Sequence, residues 1–186
     1  MSTPPAEREK PQLLQVAERW AKAAGRDVKW GSFKVGSPEA SFQSMLVIQQ
    51  GSIAVFVRCQ ADALVVFVVA DLPMEARQKI ATLSSELRSK MLIHLRQELL
   101  SVPRNGFAVF PPTLMSIDQL ERFIVEQTLV IDEHDPSTRN RFLDAVMEVT
   151  VGAMRAAQVI ASLGQPLLGS SPGTSGSRQA ADAMFR

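Results

Sequence analysis

The chain has 186 residues, with 20 lysines and arginines against 19 aspartates and glutamates, a single cysteine and no tyrosine. A chain of this length suits one domain, which buries roughly 68–70% of its unfolded surface and needs no disulfide or metal for stability. A single cysteine excludes an intramolecular disulfide and fits a reducing compartment. The net charge of +1 argues against nucleic acid or an acidic membrane as the partner, since both select for excess lysine and arginine.

Targeting and membrane segments are not indicated. Residues 1–10 are polar and charged, unlike a secretory signal, and we expect them to be disordered. The most apolar stretch, residues 61–72, contains Asp62 and Asp71 and is shorter than the about 20 residues of a membrane span. Its valine-rich composition instead predicts a buried strand. We therefore expect a cytoplasmic protein without a transmembrane segment.

The first half of the chain predicts one helix and then a run of strands. Leu13, Val16, Ala17 and Trp20 recur at helical spacing within residues 11–24, and Gly25 ends the pattern. Apolar runs joined by short turns then predict three or four antiparallel strands over residues 28–70. Both faces of these strands are largely apolar, so the sheet needs cover on both sides, or a partner chain on one of them.

A single long helix is predicted next, opening at Asp71 with Pro73 in its first turn and continuing to Ser101. A short strand follows at residues 107–110. Residues 120–132 have both helical and strand spacing, and their density of β-branched residues favours a strand.

The last predicted helix begins at Asp135 and Pro136, because a capping carboxylate followed by proline is a strong start signal. It carries two apolar stripes, which predict two buried contacts, and Gly164 closes it. Residues 165–186 have the composition of a flexible linker and end in a short helix-compatible peptide, which either frays or docks on a partner. The predicted organisation is a disordered N-terminus (1–10), one α+β domain (11–164) and this tail.

Few side chains in the sequence are arranged for catalysis or metal binding. Cys59 lies in a predicted strand, where a free cysteine usually acts as a small buried hydrophobe. His94 lies beside Lys90 and Arg96, a poor setting for a metal ligand. In residues 133–135 the aspartate is better explained as a helix cap, and one histidine with carboxylates is not a zinc set. No glycine-rich phosphate loop or acid–base pair stands out, so we predict no catalytic residue, metal or cofactor.

The order helix, antiparallel strands, long helix, two strands and helix, over residues 13–163, resembles the type III secretion chaperone-like superfamily. Residues 90–100, 107–110, 123–132 and 141–146 are similar to a small, mainly archaeal family of uncharacterised proteins with that fold. The resemblance implies an α+β fold with an antiparallel sheet and the order α-β(3-4)-α-β-β-α. Members with a known role are generally homodimers that bind an extended or disordered segment of a client protein, and their roles supply no catalytic residues.

We therefore expect a non-enzymatic, chaperone- or adaptor-like module that binds an extended or disordered segment of a partner protein, as a homodimer. A strand edge suits an extended segment and an apolar helix groove suits a helical one. The residues predicted for these contacts lie on the long helix and the strands: Phe56, Phe67, Met91, Leu95 and Leu99. The alternative role of each of these five residues is packing in the core.

The competing hypothesis is a structural subunit of a larger assembly. In that case the tail and the second apolar stripe of the last helix are buried between chains, the stripe through Leu143, Met147 and Met154. A discrete dimer would support the chaperone-like module, and a higher-order particle would support the structural subunit.

Overall fold

The computed structural model describes residues 11–34, 42–102, 104–112, 114–132 and 135–162. The helices are α1 (Gln12–Ala23), α2 (Met74–Ala81), α3 (Ser85–Leu100) and α4 (Pro136–Ala161), with a 3₁₀ helix at Ile117–Gln119. The strands are β1 (Asp27–Lys34), β2 (Phe42–Gln50), β3 (Ile53–Gln60), β4 (Ala63–Asp71), β5 (Gly106–Phe110) and β6 (Arg122–Val130).

The strands form one six-stranded sheet in the order β1-β2-β3-β4-β6-β5, in which every neighbouring pair is antiparallel. Strands β1 to β4 form the predicted meander, with tight turns that place Gly51 at φ +62° and Ala61 at φ +50°. Strand β6 lies beside β4, and β5 lies on its outer side. The prediction of a strand within residues 120–132 is therefore confirmed, as is the α+β class.

The core lies between one face of this sheet and the helices. Alternate residues of each strand point to that face, as the pleat of a strand requires. The strand side chains buried there are Leu46, Ile48, Ile53, Val55, Val57, Leu64, Val66, Val68, Ala70, Phe123 and Val125. Helix α4 crosses β4 and β6 at the centre of the layer, with α1 on its β1 side and α3 on its β5 side.

Helix α4 begins where the sequence predicted. The carboxylate of Asp135 accepts a 2.8 Å hydrogen bond from the backbone N–H of Ser137, and Pro136 occupies the first turn. The first predicted stripe is buried throughout, through Phe142, Val146, Val149, Ala153, Ala157 and Ile160. The stripe therefore forms the predicted contact with the sheet.

The prediction of one long helix over residues 71–101 is wrong, because the chain forms α2 and α3 with a break at residues 82–84. The hydroxyl of Thr82 donates to the carbonyl of Lys79 at 2.7 Å, at the end of α2. Ser84 then adopts an extended conformation, and its hydroxyl accepts the backbone N–H of Leu87 as the N-cap of α3. Serine and threonine side chains compete in this way for backbone groups, which interrupts a helix whose apolar spacing is continuous.

The predicted N-terminal segment (1–10), the tail (165–186) and Gly164 lie outside the described residues. None of the helices in the described part of the chain has the length and apolar character that a membrane span requires.

Candidate protein-interaction surfaces

The side of the sheet turned away from the helices carries a mainly apolar set of side chains, which we call the open face. Its members alternate along the strands with the core positions, and they are joined in cross-strand rows. They are Met45, Val47, Ala54, Phe56, Arg58, Val65, Phe67, Val69 and Ile124, of which Val65 is buried at 1% exposure and the others are half-buried. Lys29 and Glu126 lie on the same face at its two sides. No helix of the described residues packs on this face, since the helical side chains of the core cluster meet the opposite face.

An aromatic pair lies at the centre of the open face. Phe56 on β3 and Phe67 on β4 are direct cross-strand partners, with ring centroids 5.5 Å apart and planes inclined by 28°. The guanidinium carbon of Arg58 lies 5.5 Å from the centroid of the Phe67 ring. Such a cation beside stacked rings offers an apolar surface together with a positive charge. The centre of the open face therefore suits a ligand with apolar and acidic groups.

The central row of the open face has opposite charges at its ends. Lys29 on β1 pairs with Val47, which pairs with Phe56, and Phe56 with Phe67, which in turn pairs with Glu126 on β6. Three apolar side chains thus separate a lysine from a glutamate along one line across five strands. A segment lying along this row would meet apolar contacts in the middle and a charge at each end.

The sheet has two backbone edges within the described residues, because β1 and β5 each have one strand neighbour there. An edge strand presents unpaired N–H and C=O groups that accept an added strand. The edge of β5 is short, covering Gly106–Phe110, whereas β1 extends over Asp27–Lys34. Both edges border the open face, so an added strand would place alternate side chains on it.

A second apolar surface is the outer stripe of α4, formed by Leu143, Met147, Val151 and Met154. Leu143 is half-buried, and the other three are 41%, 37% and 41% exposed, respectively. The sulfur of Met147 accepts hydrogen bonds from Gln50 Nε2 at 3.0 Å and from Arg26 Nη2 at 3.6 Å. The predicted second stripe of the helix therefore exists, and the described part of the chain leaves it partly uncovered.

A groove of about 240 Å³ runs along the α3 side of the outer stripe. Its lining consists of Ser101, Val102, Met147, Glu148, Val151 and Arg155. A side chain of another molecule would bury apolar surface there between one acidic and one basic residue.

The residues predicted for partner contact fall into three separate places. Phe56 and Phe67 lie together on the open face. Leu143, Met147 and Met154 lie together on the outer stripe of α4. Met91, Leu95 and Leu99 are buried in the core, at 4%, 0% and 0% exposure, which is the alternative role stated for them. A partner role for any of the eight stays a prediction.

Of the open face, sequence reasoning predicted only Phe56 and Phe67 as contact residues and missed the others, among them Arg58 and Ile124. It also did not include Val151 of the outer stripe. The signal for Arg58 was the alternation of β3, because it is two residues from Phe56 and so shares its face. Ile124 carried no such local signal, since its place beside Val69 depends on the pairing of β6 with β4.

The side chains considered for chemistry are dispersed. Cys59 is half-buried at the end of β3, and burial raises the pKa of its thiol. His94 is exposed on α3, with its Nε2 3.5 Å from the carboxylate of Glu98. Asp135 is the helix cap, as predicted, while residues 133 and 134 lie outside the described residues. No three histidine, cysteine or acidic side chains of the described residues lie grouped as metal ligands.

A charged cleft of about 460 Å³ lies at the far end of β4. Its lining is Asp71, Leu72, Arg77, Phe110, Glu121 and Arg122. Arg122 is hydrogen-bonded to Asp71, and Arg77 lies 3.6 Å from Glu121. Because each arginine faces a carboxylate within the cleft, the charges balance and do not select an ionic ligand.

The fold and the two surfaces define an α+β protein with its helices on one side of an antiparallel sheet, and the comparisons agree with that class. No protein-family model matches the sequence, and no curated protein matches it. Among solved structures, the chain is similar to an uncharacterised protein from Methanothermobacter thermautotrophicus. The identity is 15% and the TM-score 0.59, over 78% of this chain and 94% of that chain. That likeness shows a shared fold.

A second similar structure is YbjN from E. coli, with 13% identity and a TM-score of 0.44. It covers 81% of this chain and 89% of that chain.

Proposed function

We propose that the protein is a non-enzymatic, chaperone- or adaptor-like module of the type III secretion chaperone-like kind. It binds an extended or disordered segment of a partner protein, and it acts as a homodimer. The observation that carries the proposal is the open face, an apolar sheet surface centred on Phe56 and Phe67 that no described helix covers. A surface of this kind marks an interaction site more often than a solvated face.

The chemistry of the open face indicates what the bound segment is like. Burial of apolar surface contributes roughly 25 cal/mol per Å², so the aromatic pair and its aliphatic neighbours favour a segment with apolar side chains. Arg58 places a positive charge beside the pair, which favours acidic side chains in the same segment. An extended segment of about six residues spans roughly 20 Å, comparable with the width of the five strands that carry the central row.

Binding to an array of unstructured 12-residue peptides, which vary in apolar and acidic content, tests the proposal. We expect the full chain to retain peptides that combine apolar and acidic residues. Phe56→Ser with Phe67→Ser should lower the retained signal about tenfold or more, since it removes the largest apolar contacts. Arg58→Glu should shift the preference from acidic towards basic peptides.

The matched control is Arg96→Glu, which makes the same charge change at an exposed position of α3. It should leave the preference unchanged. If the open-face variants and the control bind the same set of peptides, the proposal is contradicted.

The second candidate function is a structural subunit of a larger assembly, which the outer stripe of α4 favours. Such a subunit would form rings or polymers through that stripe. Light scattering of the full chain distinguishes the two candidates, because the chaperone-like module is a discrete dimer.

A further inference from the structure

The outer stripe of α4 has a near-palindromic arrangement about Val149. Met147 and Val151 lie two residues before and after that position. Leu143 and Met154 lie six residues before and five after it, and they are 11 residues apart, which is about three helical turns. The apolar side chains therefore recur on one line of the helix at nearly equal distances from its midpoint.

Two charged residues beside the stripe are placed in the same way about Val149, with an acidic residue before it and a basic residue after it. Asp144 lies five residues before Val149 and Arg155 six residues after it. They are 11 residues apart, again about three turns, so both charges lie on the same flank of the stripe. Asn140 and Gln158 extend the arrangement, each nine residues from Val149.

Neither charge is paired within the described part of the chain. Asp144 is exposed and forms no ion pair with a described residue. Arg155 is exposed and donates to the neutral hydroxyl of Ser101 at 3.0 Å. Both side chains are thus available to a second molecule.

We propose that a second copy of this chain docks on the outer stripe, with the two α4 helices antiparallel and the two-fold axis level with Val149 along the helix, on the outer side where Met147 and Val151 lie. A two-fold axis perpendicular to both helices places Met147 opposite Val151 of the second copy, and Leu143 opposite Met154. The same axis keeps the charged flank on one side of both helices. Asp144 therefore meets Arg155 of the second copy, twice in the dimer.

The charges select this arrangement over the parallel one. In a parallel pair, a two-fold axis along the helices would place the charged flanks of the two copies on opposite sides of the seam, so Asp144 and Arg155 would have no partner across it. The groove beside Met147 and Val151 gives the second copy a recess on the same flank. The antiparallel seam thus combines apolar contact, charge pairing and a place for an inserted side chain.

The size of the stripe predicts a concentration-dependent dimer. The residues from Leu143 to Met154 span about 17 Å of helix, which is too short a seam to bury by itself the roughly 800 Å² per partner of a standard interface. We therefore expect a dissociation constant on the order of micromolar. The inference rests on the homodimeric part of the proposed function and locates it on α4, whereas the bound segment lies on the open face.

Sedimentation equilibrium of the full chain over a concentration series tests the seam. The wild type should pass from 20.4 kDa towards twice that mass as the concentration rises. Asp144→Arg and Arg155→Asp should each weaken dimerisation by roughly tenfold, because each replaces two attractive contacts by repulsive ones. The combined charge exchange, Asp144→Arg with Arg155→Asp, should restore the wild-type dissociation constant.

The control is Lys79→Asp, the same kind of charge reversal at an exposed position of α2. It should leave the dissociation constant unchanged, and circular dichroism should show all variants to be folded. If the protein is a monomer at every concentration, the proposed α4 interface is wrong. It is also wrong if the single charge reversals do not weaken the dimer, or if the combined exchange does not restore it. Peptide binding by monomeric variants separates this result from a failure of the open-face proposal.

Discussion

Phe56 and Phe67 face each other across β3 and β4 on the side of the sheet that no described helix covers, with their ring centroids 5.5 Å apart. On the opposite side of the sheet, Phe123 of β6 is fully buried under the helices. The protein therefore places large aromatic side chains on both faces of one sheet. The described helices cover only one of the two faces.

Truncation should cost far more stability on the covered face than on the open face. We expect Phe123→Ala to lower the free energy of unfolding by about 3–5 kcal/mol, because it leaves a cavity in the core. Phe67→Ala should lower it by about 1 kcal/mol, since it removes one partly exposed aromatic pair. Urea unfolding of both variants measures the difference. Equal losses would mean that the open face is covered in the folded protein.

The break between α2 and α3 should depend on its serine cap. Ser84→Ala removes the hydroxyl that accepts the N–H of Leu87, and we expect a loss of about 1 kcal/mol in the free energy of unfolding. Ser85→Ala, at the next exposed position, is the matched control and should be nearly neutral. A neutral Ser84→Ala, measured in the same urea titration, would show that the hydroxyl does not stabilise the break.

Gly152 should be required for the close crossing of α4 over β6. A Cβ at this position would lie 3.0 Å from Asn105 Nδ2 and 3.1 Å from Val125 Cγ1. Asn105 Nδ2 is held by a 3.1 Å hydrogen bond to the carbonyl of Glu148. Gly152→Ala gains about 1 kcal/mol of helix propensity but overpacks the crossing by about 1–3 kcal/mol, so we expect a net loss of about 1 kcal/mol.

The cause of that loss can be isolated in a second background. In a chain that already carries Val125→Ala, the added methyl group loses one of its two close contacts, and Gly152→Ala should then cost less stability than in the wild type. If Gly152→Ala stabilises the wild type instead, the crossing is looser than these distances indicate.

The cap of α4 should make stability depend on acid pH. The hydroxyl and the backbone N–H of Ser137 both donate to Asp135, and these hydrogen bonds lower the pKa of its carboxyl group. The unfolded chain therefore binds the proton first as the pH falls. The stabilisation is present above the ordinary aspartate pKa of about 4 and is lost as the pH falls through the lower folded value.

Thermal unfolding at a series of pH values checks this dependence. Asp135→Asn keeps an acceptor at the cap but does not titrate, so the difference in Tm from the wild type should be largest near neutral pH and shrink below about pH 4. Ser137→Ala removes the hydroxyl that donates to Asp135, so Tm should depend less on pH than in the wild type. A difference in Tm that stays constant with pH would contradict the assignment.

Local signals in the sequence were sufficient for several elements. The start of α4 follows from Asp135 and Pro136, because a cap and a first-turn proline act within two residues. The end of α1 follows from Gly25, which adopts φ +73°. The alternation along β3 predicted a sheet that is apolar on both faces, and the structure contains that sheet.

Where local signals conflicted, the sequence was less informative. The apolar spacing of Ile80, Leu87 and Met91 continues through residues 82–84 and suggested one helix, although Ser84 caps a new one. In α1, Leu13 belonged to the predicted stripe, yet Leu14 is the leucine that is fully buried. Consecutive side chains of a helix point 100° apart around its axis, so the element that packs against the helix decides which of two neighbouring leucines is buried.

The sequence by itself determined that this chain has more apolar surface than one layer of helices and one face of a sheet can bury. Only the tertiary structure decided which apolar residues remain uncovered. Met91, Leu95 and Leu99 are in the core because α3 packs against α4, and Phe56 and Phe67 lie on the open face because the helices occupy the other side. These contacts join elements far apart in the chain, and residue spacing carries no information about them.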